Sequence, residues 1–360
     1  MPDRMTENDM ATPHIAIAGR AIGPSHPPYI IAEMSANHLG RYEHAVEILE
    51  RAAEAGADAV KLQTYRADTI TIDHDGPGFR IEDGPWAGRT LYQLYEDAQM
   101  PWEWHAPLMA RGHELGIAVF SSPFDETAVD LLASLGAPAY KIASFEAIDL
   151  PLIRYVAQQG KPMIVSTGMA SADEIVAAHD AAMTSDGGVA LLHCISGYPT
   201  PIGQANLRTI PDLARRFPNT VIGLSDHTLG TVAAATAIAL GAAIIEKHVT
   251  LSRADGGPDA AFSLEPGELR TLVTDCRAAW EALGSPEERM QESEKTSTPF
   301  RRSLYAVADI AEGEPFTREN VRSIRPGYGL RPERIADLLG KPARRPIKRG
   351  EPIIEAAVAW

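Results

Sequence analysis

The 360-residue chain predicts a (β/α)8 barrel followed by a small C-terminal domain, and three observations carry that fold class. Eight apolar runs of strand length precede residue 250. Helical patterns alternate with them, and the runs change abruptly from apolar to charged or hydroxylated residues at their C-terminal ends. Such alternation over roughly 250 residues is what this barrel requires, and its chemistry sits at the C-terminal ends of the strands. An open doubly wound sheet is the alternative architecture.

In chain order the strand candidates are residues 29–36, 59–64, 117–122, 138–144, 162–167, 189–194, 220–226 and 243–249. They are Val/Ile/Leu/Ala runs with little alternation, as expected of parallel strands covered by helices. Helical patterns occupy 42–55, 102–115, 126–135, 150–159, 172–183 and 231–240. Several end in glycine directly before the next strand, as at Gly56 and Gly116, the place of a left-handed C-cap. The connection between Gln63 and Trp102 is rich in Asp, Gly and Pro. Following the second strand on the catalytic face, it reads either as a lid or as a solvated excursion.

Residues 284–298 are polar and nearly free of aliphatic side chains. They divide the chain into a barrel over 1–283, a linker over 284–298 and a small domain over 299–360. The small domain shows a short strand at 303–307, turns, and one short helix at 332–339. A core of that size is thin, so support from the barrel or from a partner chain is expected.

Apolar residues at 45% and charged residues at 22% are those of a soluble globular protein. Only Cys194 and Cys276 are present, which excludes a disulfide framework and suits a reducing cytoplasm. Residues 1–13 lack the basic start and apolar core of a secretory signal, and no apolar run reaches the ~18 residues of a membrane span. The net charge is −15; residues 301–360 hold 12 Lys/Arg against 8 Asp/Glu, a surplus of four, which leaves −19 for the rest. An acidic body disfavours nucleic acid, and the basic tail either docks on that body or meets an anionic ligand.

The densest polar clusters lie in 220–250, where two apolar runs end in Ser225-Asp226-His227 and Glu246-Lys247-His248. Side chains alternate along a strand, so Ser225 and His227 share one side, as do Glu246 and His248. If both pairs face one cavity, two imidazoles meet there as half of a divalent-metal site, with open positions for water and substrate oxygens. Asp226 or Glu246 could orient a ring or bind the metal. Other polar strand ends are Glu33, Asn37 and His38; Lys61 and Gln63; Ser121 and Ser122; Lys141, Ser144 and Glu146; Ser166 and Thr167; His193 and Ser196. His193 alone reads as a hydrogen-bonded core residue. Lys61 and Lys141 sit in otherwise apolar strands, and a buried ammonium needs an anion. Three readings stay open: a structural pair with Glu33, Glu146 or Glu246; a ligand phosphate or carboxylate ringed by the hydroxyls of Ser122, Ser144, Ser166 and Ser225; or a Schiff-base lysine. The DGGPD segment at 255–259 offers a further carboxylate, or a turn.

In order, IAEMSANHLG, VKLQT, FSSPF, YKIASFE, VSTGMA, LHCISGYPTP, GLSDHT, EKHVT, GGPD and IRPGYGL resemble the nonulosonic (sialic) acid synthases over nearly the whole chain. SANH, KIASFE and SIRPGYGL are most similar to the pseudaminic acid branch. The resemblance implies a TIM barrel followed by an antifreeze-like (SAF, β-clip type) domain. It implies condensation of phosphoenolpyruvate with an open-chain amino-sugar aldehyde, releasing phosphate and forming a nine-carbon 2-keto acid. By motif position, Lys61, Ser122, Lys141, Ser144, Ser166 and Ser225 match phosphoenolpyruvate-binding residues, and His227 and His248 match the ligands of Mn2+ or Mg2+. Gln63, Tyr198 and Asp259 match sugar-facing positions. Arg325 matches an arginine inserted by the partner subunit, which implies a domain-swapped homodimer. Glu33 or Glu246 is the candidate for activating water. The sugar is expected to be a 2,4-diacetamido-2,4,6-trideoxy hexose; N-acetylmannosamine or a legionaminic-type precursor is the alternative within the family. A metal-dependent aldolase and a non-catalytic carbohydrate-binding protein are the readings outside it.

Overall fold

The computed structural model describes residues 12–84, 86–286 and 289–360. The chain divides into two compact units, Met1–Gly284 and Ser285–Trp360.

In the first unit a short antiparallel hairpin, β1 (Ile15–Ile17) and β2 (Arg20–Ile22), precedes a closed parallel barrel. The barrel strands are β3 (Tyr29–Glu33), β4 (Ala59–Thr64), β5 (Ala118–Pro123), β6 (Tyr140–Ile142), β7 (Met163–Ser166), β8 (Val189–Cys194), β9 (Val221–Asp226) and β10 (Ile244–His248). Each pairs with its chain neighbours, and β10 closes on β3.

Two of the expected strands stop two or more residues before the C-terminal ends of their apolar runs. The first ends at Glu33 because Ser35 takes a left-handed φ of 47° and opens a 3-10 turn, Ser35–His38. The fourth ends at Ile142, and Ser144–Glu146 is likewise a 3-10 turn. Both turns bend the chain across the barrel mouth at residues that line the cavity described below.

Helices follow the strands: α1 (Tyr42–Ala55), α2 (Ala67–Ile70), α3 (Leu91–Ala98), α4 (His105–Leu115), α5 (Glu126–Ser134) and α6 (Leu150–Ala157). Then come α7 (Ala172–Ala182), α8 (Thr209–Arg216), α9 (Val232–Ala239) and α10 (Pro266–Leu283). Gly56 and Gly116 close α1 and α4 with φ of 87° and 72°, a conformation without penalty only for glycine. Trp102–Trp104 is 3-10, so α4 starts at His105 and not at Trp102. Helix α8, absent from the expected helical patterns, is amphipathic and buries Ile210 and Leu213 on one side.

Alternation along the strands makes two cores. Outward residues such as Ile30, Val60, Ile222, Leu224 and Ile245 pack under the helices. Inward residues Tyr29, Ile31, Phe120, Ile164 and Ile244 pack with Ile15, Ile17 and Ile22, so the hairpin closes the barrel at the N-terminal ends of its strands. The opposite end is left for polar residues. Among the described residues, no helix is long and apolar enough to cross a membrane.

The second unit pairs β11 (Ser303–Ala306) antiparallel with β12 (Val321–Ile324) and carries one short helix, α11 (Ile335–Leu338). Leu304, Ile310, Phe316, Val321, Leu338, Ile347 and Ile353 are among the residues of its own buried cluster. Within the expected linker, an exposed 3-10 helix spans Glu292–Phe300.

Candidate active site

Strand register brings the inward polar residues level with one another. Glu33 lies opposite Lys61 on one side and His248 on the other, while Glu246 lies opposite Ser225. Lys61 Nζ is 2.5 Å from Glu33 Oε2 and 4.0 Å from Glu246 Oε2, and it donates to Ser122 Oγ at 3.3 Å. Lys141 Nζ is 3.6 Å from Glu246 Oε1, which also accepts from Ser225 Oγ at 3.0 Å. Two buried ammonium groups thus face two buried carboxylates, and Glu33 and Glu246 are the partners that the lysines require.

The two carboxylates are held differently. Burial pushes Glu33 up to about 7, against the pull of Lys61. Burial acts on Glu246 in the same sense, but Lys141 and Lys61 outweigh it and hold that carboxyl below its ordinary range. Burial also lowers Lys141, with Glu246 opposing, whereas in Lys61 the two carboxylates overcome burial and raise it. The two carboxyls thus differ in proton affinity beside one substrate-sized space.

The rings of His227 and His248 lie 5.4 Å apart, centroid to centroid. His227 Nδ1 is 3.0 Å from the Ile195 carbonyl, which leaves Nε2 as its free nitrogen; His248 Nδ1 is buried without a hydrogen-bond partner. Burial lowers the pKa of both imidazoles, His248 the further, and so favours the neutral, ligating form. No cluster of three or more His, Cys, Asp or Glu able to hold a metal occurs among the described residues. Two neutral imidazoles with an orphaned nitrogen fit a cation whose other ligands come from water and substrate.

Asp259 Oδ2 is 3.6 Å from His248 Nδ1 and accepts from Ser35 Oγ; burial pushes its carboxyl up to about 6, against Ser35. Gln63 Nε2 donates to Glu33 Oε1 at 2.9 Å and to Ser35 Oγ at 3.1 Å. The Tyr198 ring lies 4.4 Å from that of His227, tilted by 53°. Ser144 Oγ pairs with Ser196 Oγ at 2.8 Å, and Ser166 Oγ is buried without a partner.

All these groups except Ser122 line one cavity of about 520 Å3, within the ~300–1,000 Å3 of small-molecule sites. Ser122 is fully buried and meets the site at Lys61 Nζ. Asp226 does not line the cavity either: it points outward, so it neither orients an imidazole ring directly nor stands among the inward groups. His193 is a core residue, with Nε2 2.8 Å from the Ala205 carbonyl. Arg325 belongs to the second unit, exposed just beyond β12.

Residues 48–288 match the NeuB family, and residues 301–359 match the SAF domain. This chain belongs to the NeuB family. It is 43% identical to the pseudaminic acid synthase of Campylobacter jejuni subsp. jejuni serotype O:2, over 90% of this chain and 94% of that protein. It is 39% identical to the pseudaminic acid synthase of Helicobacter pylori, over 91% of this chain and 96% of that one. The fold is similar to the crystal structure of an N-acetylneuraminic acid synthetase from Leptospira borgpetersenii in complex with citrate. The TM-score is 0.71 at 32% identity, covering 79% of this chain and 95% of that one.

Several cavity residues of this NeuB-family chain escape sequence reasoning. The long segment after β4 is not a free excursion: Tyr65, Ile70, Trp86, Leu94 and Tyr95 line the cavity. Trp86 Nε1 donates to the Pro258 carbonyl at 3.2 Å, and its ring stands 6.2 Å from Tyr198. Glu146, named above among the strand ends and as a possible lysine partner, lines the wall with Oε2 buried and unpartnered, and burial pushes it up to about 7. Its position directly after an apolar strand containing a lysine was the available signal.

Proposed function

We propose that the chain condenses phosphoenolpyruvate, water and the open-chain aldehyde of 2,4-diacetamido-2,4,6-trideoxy-β-L-altropyranose to pseudaminic acid and phosphate. The observation that carries this reading is the pair of buried lysines, partnered by carboxylates, across one cavity from two neutral imidazoles. Lys61 and Lys141, with the hydroxyls of Ser144, Ser166 and Ser225, hold the phosphate and carboxylate of phosphoenolpyruvate, and Ser122 aims the Lys61 ammonium. Gln63, Tyr198 and Asp259 face the sugar.

C3 of phosphoenolpyruvate attacks the aldehyde carbon as the carbonyl π pair passes to oxygen, water adds to the cationic C2, and the C2–O bond to phosphate then breaks. The proton that water loses balances the one the aldehyde oxygen gains. Glu33, with its carboxyl near 7, takes the proton of that water, while Glu246 stays ionised and keeps both lysines charged. His227 and His248 would hold a divalent cation, Mn2+ or Mg2+, which when bound supplies Lewis-acid polarisation of the aldehyde.

Arg325 reaches the sugar from the partner subunit of a domain-swapped homodimer. Exposed Phe145, Ile148, Met169, Ile202 and Leu229, on the segments that follow β6 to β9, with Val232 at the start of α9, support a covered barrel mouth. The two buried free thiols, Cys194 and Cys276, suit a reducing cytoplasm.

The test is a sugar panel with phosphate detection. Release from phosphoenolpyruvate is expected only with the diacetamido trideoxy hexose and a divalent metal. Release with N-acetylmannosamine instead would move the chain to the neuraminic acid branch, the reading favoured by its likeness to the Leptospira borgpetersenii enzyme.

A further inference from the structure

We infer that the buried Asp226–Lys247 ion pair, on the helix side of the barrel wall, positions His227 and His248 and thereby sets the affinity of the cavity for a divalent cation. The inference rests on the metal role given to those imidazoles above. Strand alternation separates the two layers: Ser225, Glu246 and His248 line the cavity, while Asp226 and Lys247 share the outer face with Leu224 and Ile245. Asp226 and Lys247 are direct register partners across β9 and β10, and each side chain is 1% exposed.

What the pair grips is the backbone around the histidine. Lys247 Nζ donates to Asp226 Oδ2 at 2.7 Å and to the Thr228 carbonyl at 2.5 Å. Asp226 Oδ1 accepts from the Thr228 amide at 2.8 Å. The residues on either side of His227 are thereby clamped to each other and to the residue preceding His248. On the other side, the His227 carbonyl accepts from the Thr200 amide at 2.9 Å and Nδ1 meets the Ile195 carbonyl. With its backbone held from both sides, His227 has little freedom to turn away from His248.

Stability alone is a poor reason for this pair. Two well-packed apolar residues usually serve a core as well as a buried ion pair, which must first overcome the desolvation of both charges. An ion pair supplies direction, which an apolar pair lacks, and outer partners that orient metal-binding histidines typically change metal affinity about 10–100-fold when removed.

The experiment measures Mn2+ binding by electron paramagnetic resonance on the full-length chain, with circular dichroism to verify folding. Asp226→Asn, Lys247→Met and the double variant D226N/K247M are compared with the unaltered chain. The double variant removes both charges and leaves no lone buried ion, so it stays folded where a single variant fails. An Asp58→Asn control breaks the Arg20–Asp58 ion pair, far from the imidazoles in sequence and register. The expected result is a loss of Mn2+ affinity of about 10–100-fold in every folded Asp226 or Lys247 variant, with the control unchanged. A folded double variant that binds Mn2+ like the unaltered chain overturns the inference and leaves the metal reading intact. Absence of binding in the unaltered chain overturns the metal reading itself, and the inference with it.

Discussion

Glu33 and Glu246 share Lys61, yet one carboxyl is raised to about 7 and the other is held low. The difference lies in how many cations each sees. Glu33 has Lys61 at 2.5 Å and an amide from Gln63, whereas Glu246 has both lysines and the Ser225 hydroxyl. A base poised near neutrality should show in the rate. The rate of phosphate release should rise as Glu33 loses its proton through pH 7 and then level off. Glu33→Gln should lower kcat by about 10²–10⁴-fold and abolish that limb, because it removes the proton acceptor and leaves the lysines in place. A pH series from 5.5 to 9 on both chains reads this directly; a Glu33→Gln variant with the limb intact would assign the proton elsewhere. The residue types of this site were legible in the sequence because Lys61, Lys141, Glu33 and Glu246 stand out in apolar strands. Which carboxylate carries the proton was not legible, because that depends on distances between strands.

The element that departs most from its sequence reading is the segment after β4. Its Asp, Gly and Pro content suggests a loop, yet α3 forms inside it, with Thr90 and Gln93 closing a capping box at its start. Tyr65, at the segment's own start, packs edge-on against Tyr95 of α3 and Phe124 beyond β5. These contacts join residues far apart in the chain, so no local pattern announces them. As part of the cavity wall, Trp86 should act on binding more than on chemistry. Trp86→Ala is expected to raise KM for the sugar about tenfold, near the loss of one aromatic contact of ~1.4 kcal/mol, with kcat changed less. Steady-state kinetics with the sugar varied at saturating phosphoenolpyruvate distinguishes this from a fall in kcat alone, which would make the segment a catalytic element. Helix α8 was not among the expected patterns although its two buried apolar residues, Ile210 and Leu213, stand three apart and share one helix face.

At the scale of the whole molecule, the chain pairs an acidic barrel unit with a basic C-terminal unit, and each has a buried core of its own. The proposed role of Arg325 makes activity depend on the second unit. Deleting residues 299–360 should therefore abolish phosphate release while leaving the barrel folded, and should weaken association in sedimentation velocity. Full activity in the truncated chain would remove Arg325 and the domain-swapped dimer from the proposal.

The switch from apolar to polar at strand ends, strand alternation and the glycine after helices are local properties, so the amino-acid order by itself determined eight strands, their alternation with helices and which neighbouring polar residues share a side. Closure decided the rest. Hydrogen-bond register between neighbouring strands, and the pairing of β10 with β3, set which inward groups are level and hence that Lys61 meets Glu33 while Glu246 meets Lys141. The same closure sends Asp226 and Lys247 outward to one another, although each stands beside a histidine in the chain. Register is a balance over every rung of a closed sheet, and no short stretch of sequence contains it.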